Sequence, residues 1–293
     1  MEEKLRPSSQ RRPGRRKFIQ SAALGMAAAP LIWRRAAGRE SRDAGAPPFV
    51  SRLQLGLASY TLRAFTLDQA IGMTNRVGLR RIVLKSVHLP LDTPEAGIKA
   101  AAEKVRAAGL DLYGCGVVSM TNAAEVEQAF RYAKAAGMKM IIGAPDPEIL
   151  ELVDRKIKEY GVGVAIHNHG PDNNRYPTPI DAYRLIKNMD PRFGVCVDIG
   201  HTARAAMDPS FAAQRCADRL LDVHIKDVTA ISKDGQPIEI GRGVIDIPKF
   251  IRTLAQVEYA GTLSFEYEKD EKDPLPGLAE SVGYVRGVMT ALA

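Results

Sequence analysis

Tyr160-Gly161-Val162-Gly163-Val164-Ala165-Ile166-His167-Asn168-His169 holds a helix end, a strand and a polar strand terminus in one short stretch. Upstream, residues 147–160 place apolar side chains three and four apart with charges between them, the period of an amphipathic helix. Gly161 then stands where a helix stops in the left-handed conformation, which glycine enters without steric penalty. Residues 162–167 are short, apolar and partly β-branched, as suits a strand covered on both faces. The run closes on His167-Asn168-His169, polar groups that a buried strand carries only where it emerges.

The same unit recurs on both sides. Strand-like runs fall at 53–58, 80–87, 110–118, 138–143, 162–167, 193–197, 220–225 and 262–266. Between and after them lie helix-like stretches at 67–77, 94–108, 123–136, 147–160, 180–189, 209–216, 247–257 and 278–292. Gly78, Gly109, Gly137, Gly161 and Gly261 each precede a strand, and each is expected to act as a left-handed helix stop. Eight strand–helix units in about 240 residues predict an α/β fold, a single-domain (β/α)₈ TIM barrel over residues 51–293. A doubly wound open sheet is the alternative, but no glycine-rich phosphate turn follows the first strand.

A barrel of this kind carries its chemistry at the C-terminal ends of its strands. All five histidines fall there or just beyond: His88, His167, His169, His201 and His224. Strands five to eight end on His167-Asn168-His169, Asp198-Ile199-Gly200-His201, His224-Ile225-Lys226-Asp227 and Glu266-Tyr267-Glu268. One donor from each, namely His167, Asp198, His224 and Glu266, would converge on the barrel axis. Two imidazoles and two carboxylates suit one divalent Mn, Co, Zn or Fe ion better than Mg, which prefers oxygen. Taken singly, Asp198 also reads as a helix N-cap and Glu266 as a lysine partner.

Other candidates lie around that set. Glu266, His201 and His169 are candidates for proton transfer. Lys85 and His88, beyond strand two, are candidates for substrate oxygens, against a solvated rim. Tyr60 follows strand one and offers a face for a sugar ring, or simply packs. Lys226 and Asp227 read as partners that orient a ligand or meet substrate. Arg242, between two glycines, could receive a carboxylate or phosphate, or serve only the turn.

The N-terminal segment is of another kind. Arg15-Arg16-Lys17-Phe18-Ile19-Gln20 precedes a mostly apolar run from Ser21 to Trp33, too short for a comfortable membrane span. This resembles a twin-arginine export signal over residues 1–37, followed by a linker at 38–50. The resemblance implies passage through the twin-arginine translocation machinery to the periplasm or another exported location. The segment lacks cysteine, which argues against a lipid anchor there, and no stable membrane anchor is expected.

The formal charge of +7 belongs to that segment. Residues 1–45 hold eleven Lys/Arg and four Asp/Glu; taken from totals of 41 and 34, they leave thirty of each for the remainder. A neutral body argues against nucleic-acid binding, which needs clustered positive charge. Cys115, Cys196 and Cys216 form no close pair and read as buried free thiols. The sequence leaves the oligomeric state open.

Asp198-Ile-Gly-His201, Asp222-Val-His224-Ile-Lys226-Asp227, Gly241-Arg-Gly243 and Ser264-Phe-Glu266-Tyr resemble the xylose-isomerase-like sugar isomerase/epimerase superfamily, from Leu53 to the C-terminus. The resemblance implies that Asp198, His224 and Glu266 are metal ligands and that His201 contacts substrate. It also implies isomerase or epimerase chemistry, with proton transfer next to a carbonyl of a keto sugar or cyclic polyol. One position departs from the pattern. Where sugar epimerases usually place a glutamate that is both ligand and base, this chain has His167. A metal-bound imidazole has no free lone pair and makes a poor base. The departure favours a hydratase or lyase acting on 3-keto sugars or 3-keto-glycals, which needs one base and a Lewis acid. A non-catalytic periplasmic sugar-binding protein is the alternative of another class.

Overall fold

The computed structural model describes residues 52–293; the expected export signal and linker lie outside them. The eight barrel strands run β1 (Gln54–Ala58), β2 (Arg81–Leu84), β3 (Asp111–Met120), β4 (Met140–Pro145), β5 (Gly163–His167), β6 (Phe193–Asp198), β7 (Leu220–Ile225) and β10 (Thr262–Phe265). They are all parallel and close in the order β1-β10-β7-β6-β5-β4-β3-β2, the TIM barrel read from the sequence. The helices α1 (Leu67–Arg76), α2 (Glu95–Ala107), α3 (Ala123–Ala135), α4 (Leu150–Tyr160), α5 (Pro179–Ile186), α7 (Pro209–Arg215), α8 (Ile247–Gln256) and α9 (Leu275–Leu292) follow the strands. Among the described residues no helix is long and apolar enough to cross a membrane.

Alternation along the strands sorts their side chains into two layers. On β5, Val164 and Ile166 join the main core between strands and helices, while Ala165 belongs to a second, inner cluster. Val195 and Val197 on β6 face outward in the same way, and Cys196 inward. Burying each such aliphatic side chain is worth roughly 1.5–3 kcal/mol, so the pattern fixes which residues face the axis. A slip of one residue on β5 would put His167 among aliphatic side chains and bring Ile166 to the barrel mouth.

Three details depart from the sequence reading. A short helix, α6 (Ile199–Arg204), absent from the expected set, begins directly at the end of β6 and carries His201. A two-stranded ribbon, β8 (Asp227–Val228) with β9 (Pro237–Ile238), follows β7. Gly78, Gly109, Gly137 and Gly161 are left-handed, but at the end of α8 that conformation falls on Glu258, at φ 56°. Gly261 has a different purpose, since a Cβ there would lie 2.3 Å from the Tyr259 hydroxyl. All three cysteines are free and buried.

Candidate metal centre

Strand register assembles the centre. Asp198 of β6 lies beside His224 of β7, and His224 beside Ser264 of β10, two residues before Glu266. His167 of β5 is level with Cys196, two residues before Asp198. All four side chains therefore sit on the axis-facing positions at the C-terminal mouth, and all four are buried. His167 Nε2 is 3.1 Å from His224 Nδ1 and 3.3 Å from Asp198 Oδ2. His224 Nδ1 is 3.1 Å from Glu266 Oε2, which lies 3.9 Å from His167 Nε2.

These separations suit a cation. Four donors around an ion with bonds of about 2.0–2.2 Å stand roughly 3.3–3.6 Å apart when tetrahedral. Asp198 Oδ2 has no hydrogen bond of acceptable geometry although it is fully buried. The Lys226 ammonium lies 2.9 Å away as an ion pair. Burial holds the His167 pKa down at about 3, so the ring is neutral near neutral pH and has a lone pair to give. Donors of this kind, close together and short of hydrogen-bond partners, fit one divalent transition-metal ion. The metal's identity is not fixed by the donor set.

The remaining polar groups hold these four in place. Asp198 caps α6, its Oδ1 accepting the His201 N–H at 2.7 Å, so cap and cluster member are one residue. Asn168 accepts the Asp198 N–H at 2.9 Å and donates to Thr202 Oγ1 at 3.1 Å. Beneath His224, Asp222 Oδ2 lies 3.7 Å from Nε2, beyond hydrogen-bond reach, and Asp222 accepts from the Tyr113 hydroxyl at 3.2 Å. Burial raises the Asp222 pKa to about 7.

Lys226 is bound by three carboxylates: Asp198, Glu266 at 2.7 Å, and Glu268. Burial alone would lower its pKa, but those carboxylates outweigh it and hold the ammonium charged. For Glu266, burial pushes the pKa up, and Lys226 with His224 pulls it well below the usual carboxylate range. Glu268 lies outside the sequence-derived set, though it stands two residues past Glu266.

A cavity of about 400 Å³ opens over the cluster, lined by Tyr60, Lys85, Val117, His167, His169, His201, Glu266 and Glu268. That is the size of a small-molecule site. Lys85 donates to the Val117 carbonyl at 2.7 Å, and burial lowers its pKa. Burial, with His201 adding to it, lowers the His169 pKa to about 4. The His201 pKa is lowered by burial too, so both rings are neutral.

Two expected substrate contacts are elsewhere. His88 is buried in the loop wall, its Nδ1 2.9 Å from Ser59 Oγ and its Nε2 3.1 Å from the Leu62 carbonyl. The turn after β2 folds it back under the one-turn helix Ser59–Leu62, away from the cavity. Arg242 pairs with Glu280 on the surface at 2.5 Å and does not line the cavity. Asp227 is not a partner of the cluster either. It accepts the backbone N–H groups of Gly241, Gly243 and Ile245 at 3.0–3.2 Å and so shapes the loop that carries Arg242.

One family model, the xylose isomerase-like TIM barrel, matches residues 65–288. The chain belongs to that family. Proteins similar to it include the rhizopine catabolism protein MocC of Rhizobium meliloti, 28% identical over 152 residues, or 47% of this chain and 46% of that protein. Inosose dehydratase of Mesomycoplasma hyopneumoniae is 25% identical over 152 residues, covering 45% of this chain and 50% of the enzyme. The chain thus spans about half the length of these curated relatives. Among solved structures, L-ribulose 3-epimerase superposes with a TM-score of 0.67 at 16% identity, over 82% of this chain and 95% of that one, a likeness of fold. The xylose isomerase-like family includes isomerases, epimerases and dehydratases.

Proposed function

We propose that this protein is a metal-dependent enzyme that moves a proton next to the carbonyl of a keto sugar or cyclic polyol, and that the reaction removes or adds water. The observation that carries the choice is His167, an imidazole facing the cluster from the end of β5. Epimerisation by two opposed carboxylates would need an acid there. The match to an inosose dehydratase supports the same reading.

His167, Asp198, His224 and Glu266 would hold the ion, which when bound supplies a Lewis acid for a substrate carbonyl. As one of the groups holding the ion, Glu266 would be a weak base. His169 is the better acceptor: neutral, and lining the cavity. In a syn elimination one group suffices. His169 takes the proton from the carbon beside the carbonyl and passes it to the β-hydroxyl. The C–O bond breaks, water leaves, and a C=C bond forms in conjugation with the carbonyl. The imidazole ends as it began, and hydration is the reverse. His201 and Lys85 bind substrate oxygens and Tyr60 offers its ring face.

Isomerisation or epimerisation shares the first proton transfer. It is favoured by a second neutral imidazole, His201, whose ring centre is 5.9 Å from that of His169. The twin-arginine-like segment supports action outside the cytoplasm, after folding and metal loading.

The test is NMR in D₂O of the metal-loaded protein with keto sugars, inososes and unsaturated keto sugars. Gain or loss of water is expected. Deuterium at one carbon of an otherwise intact skeleton would replace this reading by isomerase or epimerase action. Saturable binding without turnover would replace it by a sugar-binding protein.

A further inference from the structure

Two oxygens of the candidate centre are claimed twice. Asp198 Oδ2 lies 3.3 Å from His167 Nε2, and Glu266 Oε2 lies 3.1 Å from His224 Nδ1. The same Asp198 Oδ2 is 2.9 Å, and the same Glu266 Oε2 2.7 Å, from Lys226 Nζ. His224 and Lys226 are two residues apart at the end of β7, so the strand's alternation sets the ammonium beside the imidazole. An ammonium and a divalent ion cannot both keep close contact with these two oxygens without strong mutual repulsion.

We propose that Lys226 is a built-in cation that competes with the divalent ion for Asp198 and Glu266, and that Glu268 is the carboxylate to which its ammonium withdraws as the ion enters. This rests on the reading that His167, Asp198, His224 and Glu266 hold a metal. Three observations support the exchange. Lys226 already touches Glu268, so a change of partner needs only a small movement. Glu268 is 25% exposed whereas Asp198 is fully buried, so the withdrawal leads from the cluster toward the cavity. Gly200 gives the lysine stem its place: a Cβ there would stand 2.5 Å from Lys226 Cγ and 2.6 Å from Cδ. The glycine of Asp-Ile-Gly-His is thus tied to the lysine of His-Ile-Lys-Asp by packing. Two consequences follow for function. The lysine neutralises the buried carboxylates whenever no ion does so. Once displaced, it brings a positive charge to the cavity wall beside the substrate.

The experiment is isothermal titration of chelator-stripped protein with Mn²⁺ and with Zn²⁺, on wild type, Lys226→Met, Glu268→Gln and the double variant. Thermal melts with and without ion accompany it. Lys226→Met should bind at least ~10-fold tighter, because a positive charge has left the site. It should also melt lower without ion and gain more on loading than wild type. Glu268→Gln should bind several-fold more weakly, since the ammonium has lost the partner that draws it away. In the Lys226→Met background that loss should shrink markedly, because it acts through the lysine. Affinity in Lys226→Met equal to or below that of wild type, with wild type binding normally, would overturn this inference alone. If Lys226→Met does not fold, unchanged affinity in Glu268→Gln overturns it. Failure of wild type and every variant to bind either ion, all being folded, removes the metal reading and this inference with it.

Discussion

Asp198 and His201 are joined by a 2.7 Å hydrogen bond from the His201 backbone N–H to one carboxylate oxygen of Asp198, while the other oxygen faces His167. One side chain thus both starts α6 and completes the cluster, which explains the spacing of the Asp-Ile-Gly-His segment. Asparagine caps a helix as well as aspartate does but carries no charge. Asp198→Asn should lose most of its affinity for a divalent ion, while Asp198→Ala should lose the affinity and a further ~1 kcal/mol or so of stability. Denaturation of the two variants, beside ion titration, separates cap from ligand. Equal stability of both would contradict the capping role.

Asp222 stands behind His224 and is itself held by Tyr113. At 3.7 Å from His224 Nε2 its carboxylate makes no hydrogen bond to the ring, so it supports the imidazole less than a hydrogen-bonded outer partner would. Asp222→Ala should therefore weaken ion binding by several-fold. Titration with Mn²⁺ checks this. Unchanged affinity would mean that the carboxylate serves only the barrel interior.

His88 gives a pH dependence distinct from that of the cluster. Burial lowers its pKa below 6.5, so the unfolded chain takes up the proton first. Folding stability from this group is complete above about pH 6.5 and declines as pH falls below that value, down to the folded-state pKa. Between pH 7.5 and 5, His88→Gln should lose less melting temperature than wild type does. Parallel curves would contradict the assignment.

Lys85 and Arg242 were both candidates for substrate contact, and the structure separates them. Lys85→Met should raise KM or lower kcat several-fold, because its ammonium lines the cavity. Arg242→Ala should leave both constants and the melting temperature near those of wild type, because its partner is the surface residue Glu280. Steady-state kinetics on one accepted keto sugar decides this. A large loss in Arg242→Ala would show that the loop closes over the cavity.

The barrel was legible because its signals are local. The apolar run at 162–167 and the glycines at 78, 109, 137 and 161 need only neighbouring residues to be read, and the strands and left-handed stops follow them. The four donors were legible because barrel geometry turns successive strand ends into one place. What needed the structure depended on distant partners. His88 ends a strand-like run exactly as the other histidines do, but Ser59 and Leu62 draw it into the wall. Glu268 gains its importance only from Lys226, more than forty residues earlier in the chain. Gly261 looks like the other stops, yet Glu258 takes the left-handed conformation three residues sooner.

The proposed chemistry requires the ion. Elemental analysis of the protein after stripping, reconstitution with Mn²⁺, Co²⁺, Fe²⁺ or Zn²⁺ in turn, and removal of excess metal tests it most directly. About one ion per chain is expected for wild type with at least one of these metals, and close to none for a His167→Ala/Glu266→Gln double variant that remains folded. Wild-type protein that retains none of the four, or a double variant that retains as much as wild type, would contradict it.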